Sequence, residues 1–431
     1  MWEGIKETFT PPNSCVQIRD TMFPGFSGAE MWNSNTPISE DCLYLNVVVP
    51  ATKPKNAPVL VWIHGGGFYY GTSTLDMYDM KELAVHENII MVSMQYRLAS
   101  LGFLCFNNTG DSQCNAGLFD QRIALQWVKD NIVQFGGNPD NVTIAGEDAG
   151  AASVGHHILS TPSHHLFNQA ILQSGSAFVP WSAITLEKSI PRGLRLAELM
   201  GCQHQRSEIQ QAVDCLRRKN ATDLVNREWD GIVYHIAEFP FVPVVDGKFL
   251  LESPNESMKS KNFKPCNILA GSNQDQGYYF LLYYFADIFK LDDDVFVTRE
   301  DFDRMAEDIN LHFSPFIQDV VKHEYTDWSS NGLNETLNRQ ALDRMVGDQS
   351  YTCPVMDFSH RFSETGNNVY VYHFEKRSSV DPWPAWSGVR QGSEIPFIFG
   401  HPFNKSKNYE QAEVQLSQRI MTYWGNFVKT G

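Results

Sequence analysis

Basic residues are scarce in this sequence: 34 lysines and arginines stand against 50 aspartates and glutamates, a formal charge of −16 over 431 residues. That balance argues against nucleic acid or an anionic membrane as partner and favours cationic ligands drawn to a carboxylate-lined cleft. Solubility alone accounts for most of the surface acids. Long apolar runs are missing as well, so no segment reaches the length a membrane-spanning helix needs. Low-complexity linkers and internal repeats are absent, and residues 1–6 do not read as a secretory leader.

What is present is an alternating array. Apolar strand candidates lie at 43–49, 59–63, 89–94, 142–145, 170–173 and 369–374, separated by helix-compatible segments. This is the pattern of a sheet covered on both faces. The clearest helix is predicted over 117–135, with Ile123, Ala124, Trp127, Val128 and Ile132 on one face. Residues 292–348 are largely helix-compatible and acidic, a solvated face rather than a binding tail. At this length and with 42% hydrophobic residues, one large α/β domain is as plausible as two smaller ones.

The most telling absence is a single hydroxyl. Residues 146 to 150 read Gly-Glu-Asp-Ala-Gly, placing Asp148 where a G-x-S-x-G elbow carries its nucleophile. The surroundings suit the elbow: a short apolar run leads in from Val142, and a small-residue, proline-free stretch follows from Ala149 to Ser160. Upstream, the run Val59-Leu-Val-Trp-Ile63 ends in His64-Gly-Gly-Gly67, a loop type whose backbone amides stabilise an oxyanion. Either motif alone is weak. In this order, each after a strand, they point to an α/β-hydrolase fold, a central mostly parallel sheet with helices on both faces.

Longer segments carry a specific resemblance. Met22-Phe-Pro-Gly-Phe-Ser-Gly-Ala-Glu-Met-Trp32, Ser39-Glu-Asp-Cys-Leu-Tyr-Leu-Asn46, Gly117-Leu-Phe-Asp-Gln-Arg122, Phe241-Val-Pro-Val-Val-Asp-Gly247, Val346-Gly-Asp348 and Glu394-Ile-Pro-Phe-Ile-Phe-Gly400 resemble the cholinesterase branch of the type-B carboxylesterases. The resemblance runs from Trp2 to Gly431 and implies one domain over 1–431, shortened at both ends relative to the family. It implies a triad whose serine, acid and histidine positions are here Asp148, Gln276 and Gln391, with oxyanion-hole positions Gly66, Gly67 and Ala149. Acyl transfer needs an activated hydroxyl and an imidazole base, and a glutamine side chain does not titrate, so no catalytic residue is expected. An aspartate nucleophile of the dehalogenase type would alkylate once and stop, because Gln391 cannot activate the water of the second step.

The resemblance also implies a ligand gorge. Trp32 matches the ring on which the family stacks a quaternary ammonium. Tyr279, Phe280 and Tyr283 match gorge aromatics, Trp181 and Trp383 its wall, Tyr69 and Trp229 its rim, Asp20 the rim carboxylate, Phe239 the acyl pocket, and Glu147 and Glu394 the base. Ala237 stands for an aromatic, which implies a roomier acyl pocket, and Ile18 for a rim tyrosine. Crowding implies that one of Glu147, Asp148 and Glu394 shares a proton or recruits a cation. Of eight cysteines, Cys15 with Cys42 and Cys202 with Cys215 match the family's disulfides; Cys353 matches one whose partner lies beyond Gly431, Cys105 and Cys114 bracket a polar loop, and Cys266 is unassigned. Buried free thiols are the plainer alternative. Sequons at Asn107, Asn141, Asn220, Asn255, Asn334 and Asn404 favour secretion, with a membrane anchor in a missing C-terminal segment left open. The expected partner is a cationic small molecule, with no metal or cofactor. The alternatives are a neuroligin-like adhesion module binding an extracellular protein, with oligomerisation open, or residual esterase activity.

Overall fold

The computed structural model describes residues 4, 7–107, 112–202, 209–232, 236–291 and 294–431. Its frame is a sheet of seven strands among the described residues: β1 (Leu45–Val48), β2 (Ala57–Ile63), β3 (Ile90–Met94), β4 (Gly137–Glu147), β5 (Gln169–Gln173), β6 (Asn267–Asn273) and β7 (Val369–Phe374). The spatial order is β1-β3-β2-β4-β5-β6-β7, with β1 antiparallel to β3 and every other pairing parallel. A parallel sheet covered on both faces wants apolar residues at successive positions rather than alternating ones. Val59, Leu60, Val61, Trp62 and Ile63 of β2 accordingly fill both sides of the sheet, all at 2% exposure or less.

Three helices matter most for the site: α1 (Ala116–Asn131), α2 (Ala149–Leu159) and α3 (Gln411–Thr430). Helix α2 follows β4 directly and is buried along its whole length. The helix expected over 117–135 is α1 followed by a 3-10 turn, Ile132–Phe135, but its buried face differs from the expected one. Val128 and Ile132 face the core as expected, but Ile123 is 68% exposed and Leu118, Gln121 and Leu125 are buried beside them. The polar Gln121 sits inside because it bonds Ser153 of α2 at 3.1 Å and His157 at 3.1 Å. Strand β6 was not anticipated from the sequence. The acidic 292–348 stretch contains the helices Arg299–Ile309, Pro315–Tyr325 and Glu335–Gly347.

Cys15–Cys42, Cys105–Cys114 and Cys202–Cys215 form disulfides, which resolves the local pairing that the sequence left open. Cys266 is a buried free thiol, pushed up to about 12 by burial, and Cys353 an exposed one. Three disulfides fit folding in an oxidising compartment. No helix among the described residues is long and apolar enough to cross a membrane. Asn107, Asn220, Asn255, Asn334 and Asn404 are exposed, whereas Asn141 is half-buried in β4 and donates to the Lys429 carbonyl at 3.3 Å.

Candidate active site

Parallel strands deliver their C-terminal ends to one edge of the sheet, and loops there carry the site. His64 to Gly67 leave β2, Asp148 leaves β4, Ser174 leaves β5 and Gln276 follows β6. Asp148 adopts φ 56° and ψ −121°, a backbone conformation that L-residues avoid and that a nucleophile elbow imposes. The turn is fixed by Asp148 N–H donating to the Gln173 carbonyl at 2.9 Å and by Ala152 N–H donating to the Asp148 carbonyl at 2.9 Å. It also needs a glycine on its helix side, since a Cβ on Gly150 would lie 2.0 Å from the Ile63 carbonyl oxygen.

The Asp148 carboxylate lies in the loop that the resemblance reads as an oxyanion hole. Gly66 N–H and Gly67 N–H donate to its Oδ2 at 2.9 and 2.8 Å. Gln391 Nε2 donates to its Oδ1 at 3.0 Å. Ala149, the third expected oxyanion position, is fully buried at the start of α2. A side-chain carboxyl oxygen thus occupies the amides that a substrate oxyanion would use. Gln276 does not join this set: its Nε2 donates to Ser174 Oγ at 2.8 Å, and its buried Oε1 finds no hydrogen-bond partner among the described residues. The two glutamines therefore serve separate partners and form no proton relay.

Glu147 lies beside this cluster. Burial, then the charges of Asp148 and Glu394, push it well above the usual carboxylate range, with Gln391 opposing the shift. This direction agrees with the expectation that one of the crowded acids holds a proton. Glu394 is raised too, chiefly by burial, although Asn273 at 2.6 Å and Gln173 at 3.0 Å donate to it.

Above the carboxylates is a cavity of about 240 Å³. Trp32, Tyr69, Glu147, Phe239, Tyr279, Phe280 and Trp383 line it, as expected from the sequence, together with Asp148 and Gln391. Five other expected binding residues stand behind the lining. Trp181 packs edge-on against Phe239 at 5.6 Å and donates its Nε1 to the Ser350 carbonyl at 3.1 Å. Trp229 abuts Tyr69 at 5.1 Å, Tyr283 stacks on Tyr279 at 5.0 Å, and the Tyr283 hydroxyl donates to Asp20. Glu394 is spent on Asn273 and Gln173. Of these five, Trp181, Tyr283, Asp20 and Glu394 have polar ends that already meet internal partners.

Sequence reasoning missed Tyr70, Tyr78, Tyr351 and Arg390 among the lining. Tyr70 was signalled by its place after Tyr69, and Arg390 by a charge directly before Gln391. The Arg390 guanidinium lies 4.9 Å over the Trp383 ring and pairs with Asp381 at 2.9 Å.

Residues 1–431 match the family described as the carboxylesterase family. The chain belongs to the carboxylesterase family. Carboxylesterase relatives similar to this chain include the acetylcholinesterases of Bungarus fasciatus, 45% identical over 431 residues, and Danio rerio, 44% identical over 462. The acetylcholinesterase of Electrophorus electricus is 43% identical over 461 residues. Each comparison covers 100% of this chain, and 70%, 72% and 72% of the respective relative. The mostly parallel sheet with helices on both faces is the α/β-hydrolase fold of this carboxylesterase family.

One further buried acid makes the stability of the carboxylesterase chain sensitive to pH. Glu228, next to Trp229, is 1% exposed, accepts from Ser100 N–H at 2.7 Å, and is pushed up to about 8 by burial. An acid whose folded pKa is raised binds protons more tightly in the folded state. Stability therefore falls as pH rises from the unfolded value of about 4.3 through about 8. Glu228→Gln keeps the acceptor and removes the titration. Denaturant melts are expected to match wild type near pH 4 and to gain on the order of a few kcal/mol above pH 8. Equal stability of the two proteins at both pH values would show that Glu228 does not carry this effect.

Proposed function

We propose that this chain is a catalytically silent carboxylesterase that binds a quaternary ammonium ligand outside the cell. The observation that carries the reading is the Asp148 carboxylate, bonded by Gly66, Gly67 and Gln391 in the place of a nucleophile and its oxyanion. Hydrolysis by acyl transfer has no hydroxyl at the elbow position and no imidazole base beside it, because Asp148 is a carboxylate and Gln391 an amide. An aspartate nucleophile is disfavoured on the same grounds, since both carboxylate oxygens are engaged and the second step lacks its base. Similarity to acetylcholinesterases supplies the ligand class and not the activity.

The indole of Trp32 is half-buried in the cavity lining, with Tyr279 and Trp383 in the same lining. A quaternary ammonium over its face is attracted by the ring quadrupole, worth about 0.5 to 2 kcal/mol. Trp32→Ala is expected to weaken choline binding by that amount in calorimetric titration. Affinity should also fall as salt rises, because long-range attraction to the acidic protein is screened. Choline affinity that is undetectable, or indifferent to Trp32→Ala, would overturn the ligand assignment and leave the adhesion reading in its place. The three disulfides and five exposed sequons support secretion.

A further inference from the structure

The cavity does not end at the aromatic and acidic floor. Its lining also includes Gly392, Ser393, Ser378, His401, Lys407 and Tyr409. Gly392 lies directly against Trp32, since an added Cβ would touch the ring at 3.1 Å.

The charges along this lining are unevenly neutralised. Arg390 is joined to Asp381 at 2.9 Å and 3.2 Å, and Arg377 approaches the same carboxylate at 3.7 Å. Asp148 and Trp32 are both in the lining. The exposed Lys407, in the same lining, has its Nζ 2.9 Å from His401 Nδ1, and no carboxylate among the described residues comes within 4.0 Å of it. Burial and the Lys407 charge hold the His401 imidazole down to about 4, with Asp79 and Asp76 opposing more weakly, so His401 is neutral at pH 7 and accepts from the ammonium. One cavity lining thus holds aromatic rings and carboxylates together with an ammonium that has no carboxylate partner.

We propose that the cavity recognises a small zwitterion, a quaternary ammonium joined by a short chain to a carboxylate, with the ammonium on Trp32 and the carboxylate at Lys407. The ammonium half rests on the proposed function; the carboxylate half is new. A simple cation leaves Lys407 without a counter-charge and is repelled by it. A carboxylate there accepts a charge-assisted hydrogen bond, with the hydroxyls of Ser378 and Tyr409 in the same lining.

The test is calorimetric titration of the full chain with choline, glycine betaine and γ-trimethylammonium butyrate, using wild type, Lys407→Met, Lys407→Arg and Trp32→Ala. For wild type the best-fitting zwitterion is expected to bind about tenfold more tightly than choline. Lys407→Met should cancel that advantage, Lys407→Arg should keep most of it, and Trp32→Ala should weaken every ligand. Zwitterions that bind no better than choline, or that ignore Lys407→Met while choline still binds, would overturn the carboxylate subsite and leave the proposed function standing. Failure of every quaternary ammonium compound to bind would overturn both.

Discussion

Purified protein is expected to leave choline and thiocholine esters unhydrolysed, and Asp148→Ser alone is expected to stay equally silent. Serine at position 148 would free the Gly66 and Gly67 amides that now bond the carboxylate. It would then meet Gln391, which donates from an amide and takes no proton. Losing the nucleophile or the base of a triad alone costs about as much as losing the whole set, on the order of 10⁶ in kcat. Any revertant still carrying Gln391 therefore remains at the level of wild type. Asp148→Ser with Gln276→Glu and Gln391→His is the smallest combination expected to regain turnover. Steady-state hydrolysis through purification gives the measurement. Wild-type activity that co-purifies with the chain and is extinguished by active-site titration would contradict the prediction.

The second large effect is structural. Gly150→Ala is expected to cost about 3 kcal/mol or more, because the new methyl would lie 2.0 Å from the Ile63 carbonyl oxygen and 2.9 Å from that of His64. Both obstacles are backbone atoms of the strand exit, so they cannot swing aside. Relief requires α2 to withdraw from β2, which also disturbs the amides of Gly66 and Gly67. Thermal melting and soluble yield report the loss. A melting temperature unchanged within error would mean that the elbow is looser than this geometry allows.

These two residues illustrate what could be read from the sequence. The elbow and the amide loop are local patterns, each a few residues long after an apolar strand, so they were legible before any fold was known. The strands with unbroken apolar runs were legible for the same reason, and β7 was expected at the residues it occupies. Strand β6 was not read from the sequence, where its short apolar run Ile268, Leu269 and Ala270 gives way at once to Gly271, Ser272 and Asn273. Its polar end belongs to the site, where Asn273 bonds Glu394. On α1, Gln121 could not be assigned to the core without its partners Ser153 and His157, which come from another helix.

The candidate site was legible as a set of positions and not as an arrangement. Gln391 is 243 residues from Asp148 in the chain, and only family resemblance placed them together. That resemblance could not say where the new carboxylate would point. Its seat against two backbone amides follows from the elbow's fixed φ and ψ and from the donors that converge there. The division between lining and supporting aromatics is likewise three-dimensional: Trp181 and Tyr283 carry polar atoms that are already bonded inside the wall.

The claim that Asp148 has replaced both nucleophile and oxyanion is tested most directly by a pair of ligands. One is a quaternary ammonium trifluoromethyl ketone, which a nucleophile converts to a tetrahedral adduct; the other is its non-electrophilic alcohol of the same shape. Transition-state analogues bind functional enzymes about 10²-fold or more tightly than ground-state ligands. For this protein the two dissociation constants are expected to agree within about threefold, because no nucleophile adds and the amides are filled. A ketone bound about a hundredfold more tightly than the alcohol would contradict the account, since it would require both a working nucleophile and an open oxyanion hole.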